Sequence, residues 1–337
     1  MPAPSSQESQ ARDDQAYALM QSAVALIPQG GWQEASAALE KAAGLHAQAG
    51  RAYDEARCLQ LAATLRRSAG EPEKARSLVE QAATVAPTDQ PLAVSISAER
   101  AETAFAEGRF QEAVSAWTTA LDEARRAGLK ADGMSALARR RAAAYMALGE
   151  FEHANNDFDE AFRLLDAARG RETAWFVRIE QARLLLQIGH SDQAEQVLTA
   201  LEAGLQHEPP GPHLLAELLG LRARMARAAG QMGTAIEYAR RSRDAALQAV
   251  APLSYFAASV ELAEALQAQG DLSGAYGTLS TAWATLSDVL GKETAGSWIE
   301  PCLIGYQVRW GESAFQQAKN AYEARRRAEI NAKADQE

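Results

Sequence analysis

The chain has 337 residues, of which 47% are hydrophobic, 7% aromatic and 23% charged, with a net charge of -10. That length exceeds one ordinary globular core, so two domains or a repeat array is expected, and the apolar share excludes a wholly disordered chain. The acidic balance opposes a general nucleic-acid binder, which needs a basic face, and Cys58 and Cys302 lie too far apart in sequence to form a CxxC pair or a disulfide framework.

Taken in chain order, residues 1–11 hold no apolar run and read as a disordered N-terminus without a secretory signal. No later run approaches the roughly 18 apolar residues that cross a bilayer. With no signal and no disulfide pattern, the expected compartment is the cytoplasm. From residue 12 the sequence becomes periodic. The stretch "GGWQEA" at 30–35 returns in altered form: a glycine stands five residues before an alanine at Gly30 and Ala35, Gly70 and Ala75, Gly108 and Ala113, and Gly149 and Ala154. Gly189 with Ala194, Gly230 with Ala235 and Gly270 with Ala275 complete a series with a period of about 40 residues. Repeats of that length mark a solenoid, a propeller or a helical array.

Helical spacing selects among these. Four residues after each alanine stands a large side chain (Leu39, Val79, Trp117, Phe158, Leu198 and Leu279), with Ala239 the exception. Seven residues after it stands a small one (Ala42, Ala82, Ala120, Ala161, Ser242 and Ala282), with Leu201 the exception. Positions i, i+4 and i+7 share one helix face. A second pattern precedes each glycine, as in Leu137, Ala138, Ala142 and Tyr145. Each unit is therefore helix, glycine turn, helix. "APTDQP" at 86–91, "AGLKADG" at 127–133 and "HEPPGP" at 207–212 separate units and are too short to be domain linkers. Pro28 marks a helix stop. Pro301 should kink or restart the first helix of a final hairpin at 293–334, which carries Trp298, Tyr306, Phe315, Ala318 and Tyr322.

The small-large-small series Ala142, Tyr145, Gly149, Phe151, Ala154, Phe158 and Ala161 resembles the tetratricopeptide repeat (TPR). The resemblance covers residues 12–292 as seven repeats, with 293–334 as an eighth hairpin or C-terminal cap. It implies an all-α fold, a right-handed TPR-like helical solenoid of seven to eight helix-turn-helix repeats. The period of about 40 is longer than the family's usual 34 and is similar to kinesin-light-chain-like arrays and peptide-sensing regulators.

No constellation for catalysis stands out: the phosphate loop, GxGxxG, HExxH and GxSxG signatures are all missing from the sequence. His207 and His213 flank the proline loop without a completing cysteine or carboxylate cluster, Cys58 reads as a small core residue, and no metal or other cofactor is expected. The runs Arg139–Arg140–Arg141 and Arg240–Arg241 read as mostly solvated. In the TPR family the first helices of successive hairpins line a concave groove. Counting back from the aligned alanines places Arg139 and Met146 there from repeat four, Phe176, Arg183 and Leu186 from repeat five, and Arg224 and Arg227 from repeat six. The resemblance thus implies a non-enzymatic adaptor or scaffold that holds a partner protein or peptide, and the four arginines at these positions suit one that is acidic or ends in a free carboxylate. A peptide-responsive regulator is the alternative. Nucleic acid is not expected as a partner, since these positions repeat no base-reading code.

Overall fold

The computed structural model describes residues 6–86, 90–206 and 209–334, and sixteen α-helices account for nearly all of them. The helices fall into eight sequential pairs: α1 (Ser6–Leu26) and α2 (Trp32–Gln48), α3 (Ala52–Ser68) and α4 (Pro72–Val85), α5 (Gln90–Ala106) and α6 (Phe110–Arg126), and α7 (Ala131–Leu148) and α8 (Phe151–Arg169). The remainder are α9 (Arg171–Gln187) and α10 (Ser191–Leu205), α11 (Pro212–Ala228) and α12 (Met232–Gln248), α13 (Pro252–Ala268) and α14 (Leu272–Leu290), and α15 (Lys292–Trp310) and α16 (Glu312–Ala334). No strand occurs among the described residues. Helix α1 begins at Ser6, within the stretch expected to be disordered. The fold is a TPR-like helical solenoid. The chain divides into two compact units, residues 1–177 and 178–337, with the division inside α9.

Local sequence explains the helix pairing. Every aligned alanine is buried, at 0 or 1% exposure, and the large residues four positions on are buried to 5% or less. The alanine at the start of each second helix leaves room for the first helix to approach, and the large residue fills the space between pairs. Gly149 shows the turn chemistry. At φ 77° it ends α7; its N–H donates to Met146 O at 3.0 Å, and the Glu150 N–H donates to Tyr145 O at 2.8 Å. These two bonds form a Schellman cap, which satisfies carbonyls that the helix end would otherwise strand. The same paired bonds recur between α12 and α13 with Val250 in the glycine's place, at φ 52°.

A tighter junction occurs at Gly311, the sole residue between α15 and α16. Its N–H donates to Gln307 O at 3.0 Å and its carbonyl accepts from Phe315 N–H at 3.1 Å. One residue thus closes one helix and opens the next. Its φ of 79° and ψ of 157° lie in a region that is essentially glycine-only. Helix α15 continues through Pro301 and does not restart there; the proline frees only the carbonyl of the exposed Ser297, which solvent can reach.

Each unit has its own core. In unit 1, one cluster joins Leu39, Leu59, Leu65, Val79 and Ile96, and others form around Trp117 and around Leu121. In unit 2, Tyr255, Leu262, Leu279, Leu286, Ile299 and Tyr306 share one cluster. Two arginines are built into these interiors. Arg141, on α7, is 14% exposed and gives Nε and Nη2 to Asp157 at 2.9 and 2.6 Å, and Nη1 to Thr118 at 3.0 Å. Arg222, on α11, is 10% exposed and donates to Glu202 and Glu195 on α10. Arg141 is therefore not a solvated member of its run: the helix turns it inward, onto a carboxylate 16 positions away.

Candidate functional site

Three first helices build the groove with residues of unit 2. From α9 comes Arg183; from α11 come Ala216, Glu217, Gly220, Leu221 and Arg224; from α13 come Phe256, Ala257, Val260 and Glu261. Cys302 of α15 also lines it, and the space measures about 310 Å³. Small residues allow this packing. A side chain at Gly220 would press to 3.4 Å from Ser242 Oγ, and that hydroxyl donates to Ala216 O at 2.7 Å, holding α12 against α11.

The floor is apolar and the rim is ionic. Arg183 pairs with Glu217, whose second oxygen accepts from Ser254 Oγ at 2.7 Å. Arg227 donates to Glu261 at 3.0 Å, and Arg224 lies 3.6 Å from the same carboxylate. The arginine side chains stay 36 to 42% exposed while Glu217 and Glu261 are 20 and 16% exposed. Three guanidinium groups thus surround two sunken carboxylates, leaving donor capacity at the surface. Arginine carries five N–H donors in a planar fork, so a guanidinium engaged on one edge can still take an incoming carboxylate on another.

Of the residues placed in the groove from sequence, Arg183 and Arg224 line one pocket, and Arg227 joins them through Glu261. Leu186 is half-buried on α9, one turn beyond Arg183. Arg139, Met146 and Phe176 belong to unit 1. Arg139 and Phe176 are half-buried there, and Met146 is 4% exposed and packs in the interior. Phe256, Glu261 and Cys302 were not singled out. The first two lie on α13 beside Ala257 and Val260, which line the groove with them. A signal for Glu261 did exist: Arg183 to Glu217 and Arg227 to Glu261 both span 34 residues, so opposite charges recur between neighbouring first helices.

Other candidate chemistry disperses. His207 lies outside the described residues, and among those described no group of His, Cys, Asp and Glu could hold a metal ion. Cys58 is 1% exposed, and burial, aided by Asp54, pushes its thiol up to about 11, which makes a poor nucleophile. No described helix is long and apolar enough to cross a membrane.

No known protein-family profile matches the chain, and no curated protein sequence matches it. Solved structures do. A tetratricopeptide repeat protein from Parabacteroides merdae aligns with a TM-score of 0.51 at 15% identity, over 85% of this chain and 98% of that one. A signal-transduction ATPase from Pyrococcus horikoshii with a tetratricopeptide repeat sensor gives 0.54 at 15% identity, over 85% of this chain and 44% of that one. Aspartyl phosphate phosphatase F from Bacillus subtilis gives 0.52 at 11% identity, over 85% and 73%. At these identities the likeness is one of fold.

Proposed function

We propose that this TPR-like solenoid is a non-enzymatic adaptor or scaffold whose unit 2 groove holds a segment of a partner protein. The observation that carries the reading is the pairing of an apolar floor, at Phe256 and Val260, with a rim of three half-exposed arginines against two carboxylates. An apolar side chain of the partner fills the floor, and its carboxylate, from an acidic residue or a free C-terminus, takes the open edges of Arg183 and Arg224. Glu217 and Glu261 hold those arginines in place beforehand, which reduces the side-chain entropy lost on binding. They also compete for the same charge, so affinity depends on the apolar side chain as well.

The test is a titration of fluorescent peptides that end in a free carboxylate after an apolar residue. Wild type is compared with Arg183→Ala/Arg224→Ala at low and moderate salt. Loss of two charge-assisted contacts, at about 1.5 kcal/mol or more each, weakens binding roughly a hundredfold. Equal affinity in a folded double variant would remove the groove from consideration. A second reading, a peptide-responsive regulator acting through a partner, takes its support from the sensor role that the Pyrococcus protein's TPR segment carries.

A further inference from the structure

A second groove of unit 2 lies between α12, α14 and the C-terminal helix α16, with Leu262 and Leu266 of α13 at its base, and measures about 520 Å³. Its shape follows from one small residue. The ring of Tyr322 on α16 lies directly on Gly277 of α14, where a Cβ would stand 2.5 Å from Tyr322 Cδ2. The Tyr322 hydroxyl is 3.3 Å from Thr281 Oγ1. With α16 seated in this way, Arg325 and Arg326, three and four positions past Tyr322, line one wall. Arg240 and Arg243, three apart on α12, line the other.

These four arginines differ from those held between helices elsewhere in the chain. Arg66, Arg67, Arg141 and Arg222 each reach a carboxylate. Among the described residues none of the four groove arginines does. Arg243 is held by Tyr255: its Nη2 donates to the phenol oxygen at 2.9 Å, and the guanidinium lies 5.2 Å from the ring centre. Its Nε is buried and meets no acceptor among the described residues. Among the described residues, two carboxylates line the same groove. Asp271 is engaged with the Gly274 N–H at 2.7 Å as the N-cap of α14, and Asp288 lies further along that helix. An excess of guanidinium groups on facing walls, in a chain of net charge -10, favours an incoming anion.

We infer that this groove binds an acidic segment of a partner protein, whose successive carboxylates bridge the arginines of α12 to those of α16. Arginine takes a carboxylate through two parallel bonds, and two arginine pairs on opposite walls call for more than one carboxylate on a chain. A single small anion would leave one wall unserved. A nucleic-acid strand is disfavoured, because its regular phosphates would have to pass Asp271 and Asp288 and an acidic molecule as a whole.

The experiment uses fluorescein-labelled octaglutamate in the full chain already carrying Arg183→Ala/Arg224→Ala, so that the first groove contributes nothing. Octaglutamate binds this background at low salt and octaglutamine does not. Adding Arg240→Ala/Arg326→Ala, two exposed positions whose loss leaves the helical circular dichroism unchanged, weakens binding roughly tenfold. Restoring charge with Arg240→Lys/Arg326→Lys recovers part of it. The inference is overturned if the background chain fails to bind octaglutamate, if the arginine substitutions leave its affinity unchanged, or if oligothymidylate of equal length binds more tightly.

Discussion

Val250 occupies a left-handed backbone position, at φ 52°, that glycine fills at the equivalent turns, and its side chain is 76% exposed. A β-branched residue there is strained by about 1–2 kcal/mol, and no burial offsets it. Replacing it by glycine adds back about 0.5–1 kcal/mol of unfolded-chain entropy. Val250→Gly is therefore expected to raise stability by about 0.5–1 kcal/mol in urea unfolding, and a lower midpoint would contradict the strain. A different balance governs Glu195, whose carboxyl is held below the usual carboxylate range by its hydrogen bond from Arg222. The folded state then binds its proton less readily than the unfolded chain. The stability this supplies is complete above the ordinary carboxylate value of about 4.3 and is lost as pH falls through the lowered one. Glu195→Gln is expected to flatten the acid limb of the stability curve slightly, since the side chain is half exposed, while leaving no new slope above pH 6. The placement of such ion pairs was not legible in the sequence. Arg139, Arg140 and Arg141 are consecutive, yet the last reaches a buried Asp157, because a helix distributes neighbours at 100° intervals and only the three-dimensional partner decides which one turns inward.

At the level of helices, far more could be read in advance. The glycine-to-alanine phrase marked seven of the eight turns, and the alanines and large residues after it are buried as their spacing required. That legibility has a physical source: close approach of two helices demands a small side chain at a fixed place in every pair, so the constraint repeats with the fold. Ala142, fully buried on α7, is one such place. Ala142→Leu is expected to cost about 1–3 kcal/mol by overpacking, seen as a lowered thermal midpoint. The eighth pair was harder to see, because its turn at Gly311 is a single residue and lacks the aligned alanine. Its anchoring depends on Gly277 and Tyr322. Gly277→Ala should push α16 off α14, and limited proteolysis is expected to cut α16 earlier in this variant while sparing α13 and α14. An unchanged digestion pattern would mean that the Tyr322 ring yields without moving the helix.

For the molecule as a whole, stability accumulates pair by pair. Hydrogen exchange should be slowest in helices with neighbours on both sides, such as α6 around Trp117 and α14 around Leu279 and Leu286, and fastest in α1 and α16. Uniform protection along the chain would contradict this gradient. The groove, unlike the fold, was only partly readable: repeat offsets located Arg183 and Arg224, but one position per turn does not find Phe256 and Glu261, which line the groove beside Ala257 and Val260. The charges that join first helices carry one further consequence. Helix α11 offers Glu217 to Arg183 on one side and Arg227 to Glu261 on the other, whereas α13 offers Glu261 to α11 and Glu264 to Arg309 of α15. A tandem copy of the α11–α12 pair would therefore join its own duplicate arginine to glutamate. A tandem copy of the α13–α14 pair would present Glu264 of one to a helix that carries no arginine or lysine. Modules that look alike in outline thus carry unlike edges, and the order of this array is written in charge: some duplications would keep an ion pair at the seam, and others would leave a glutamate there without one.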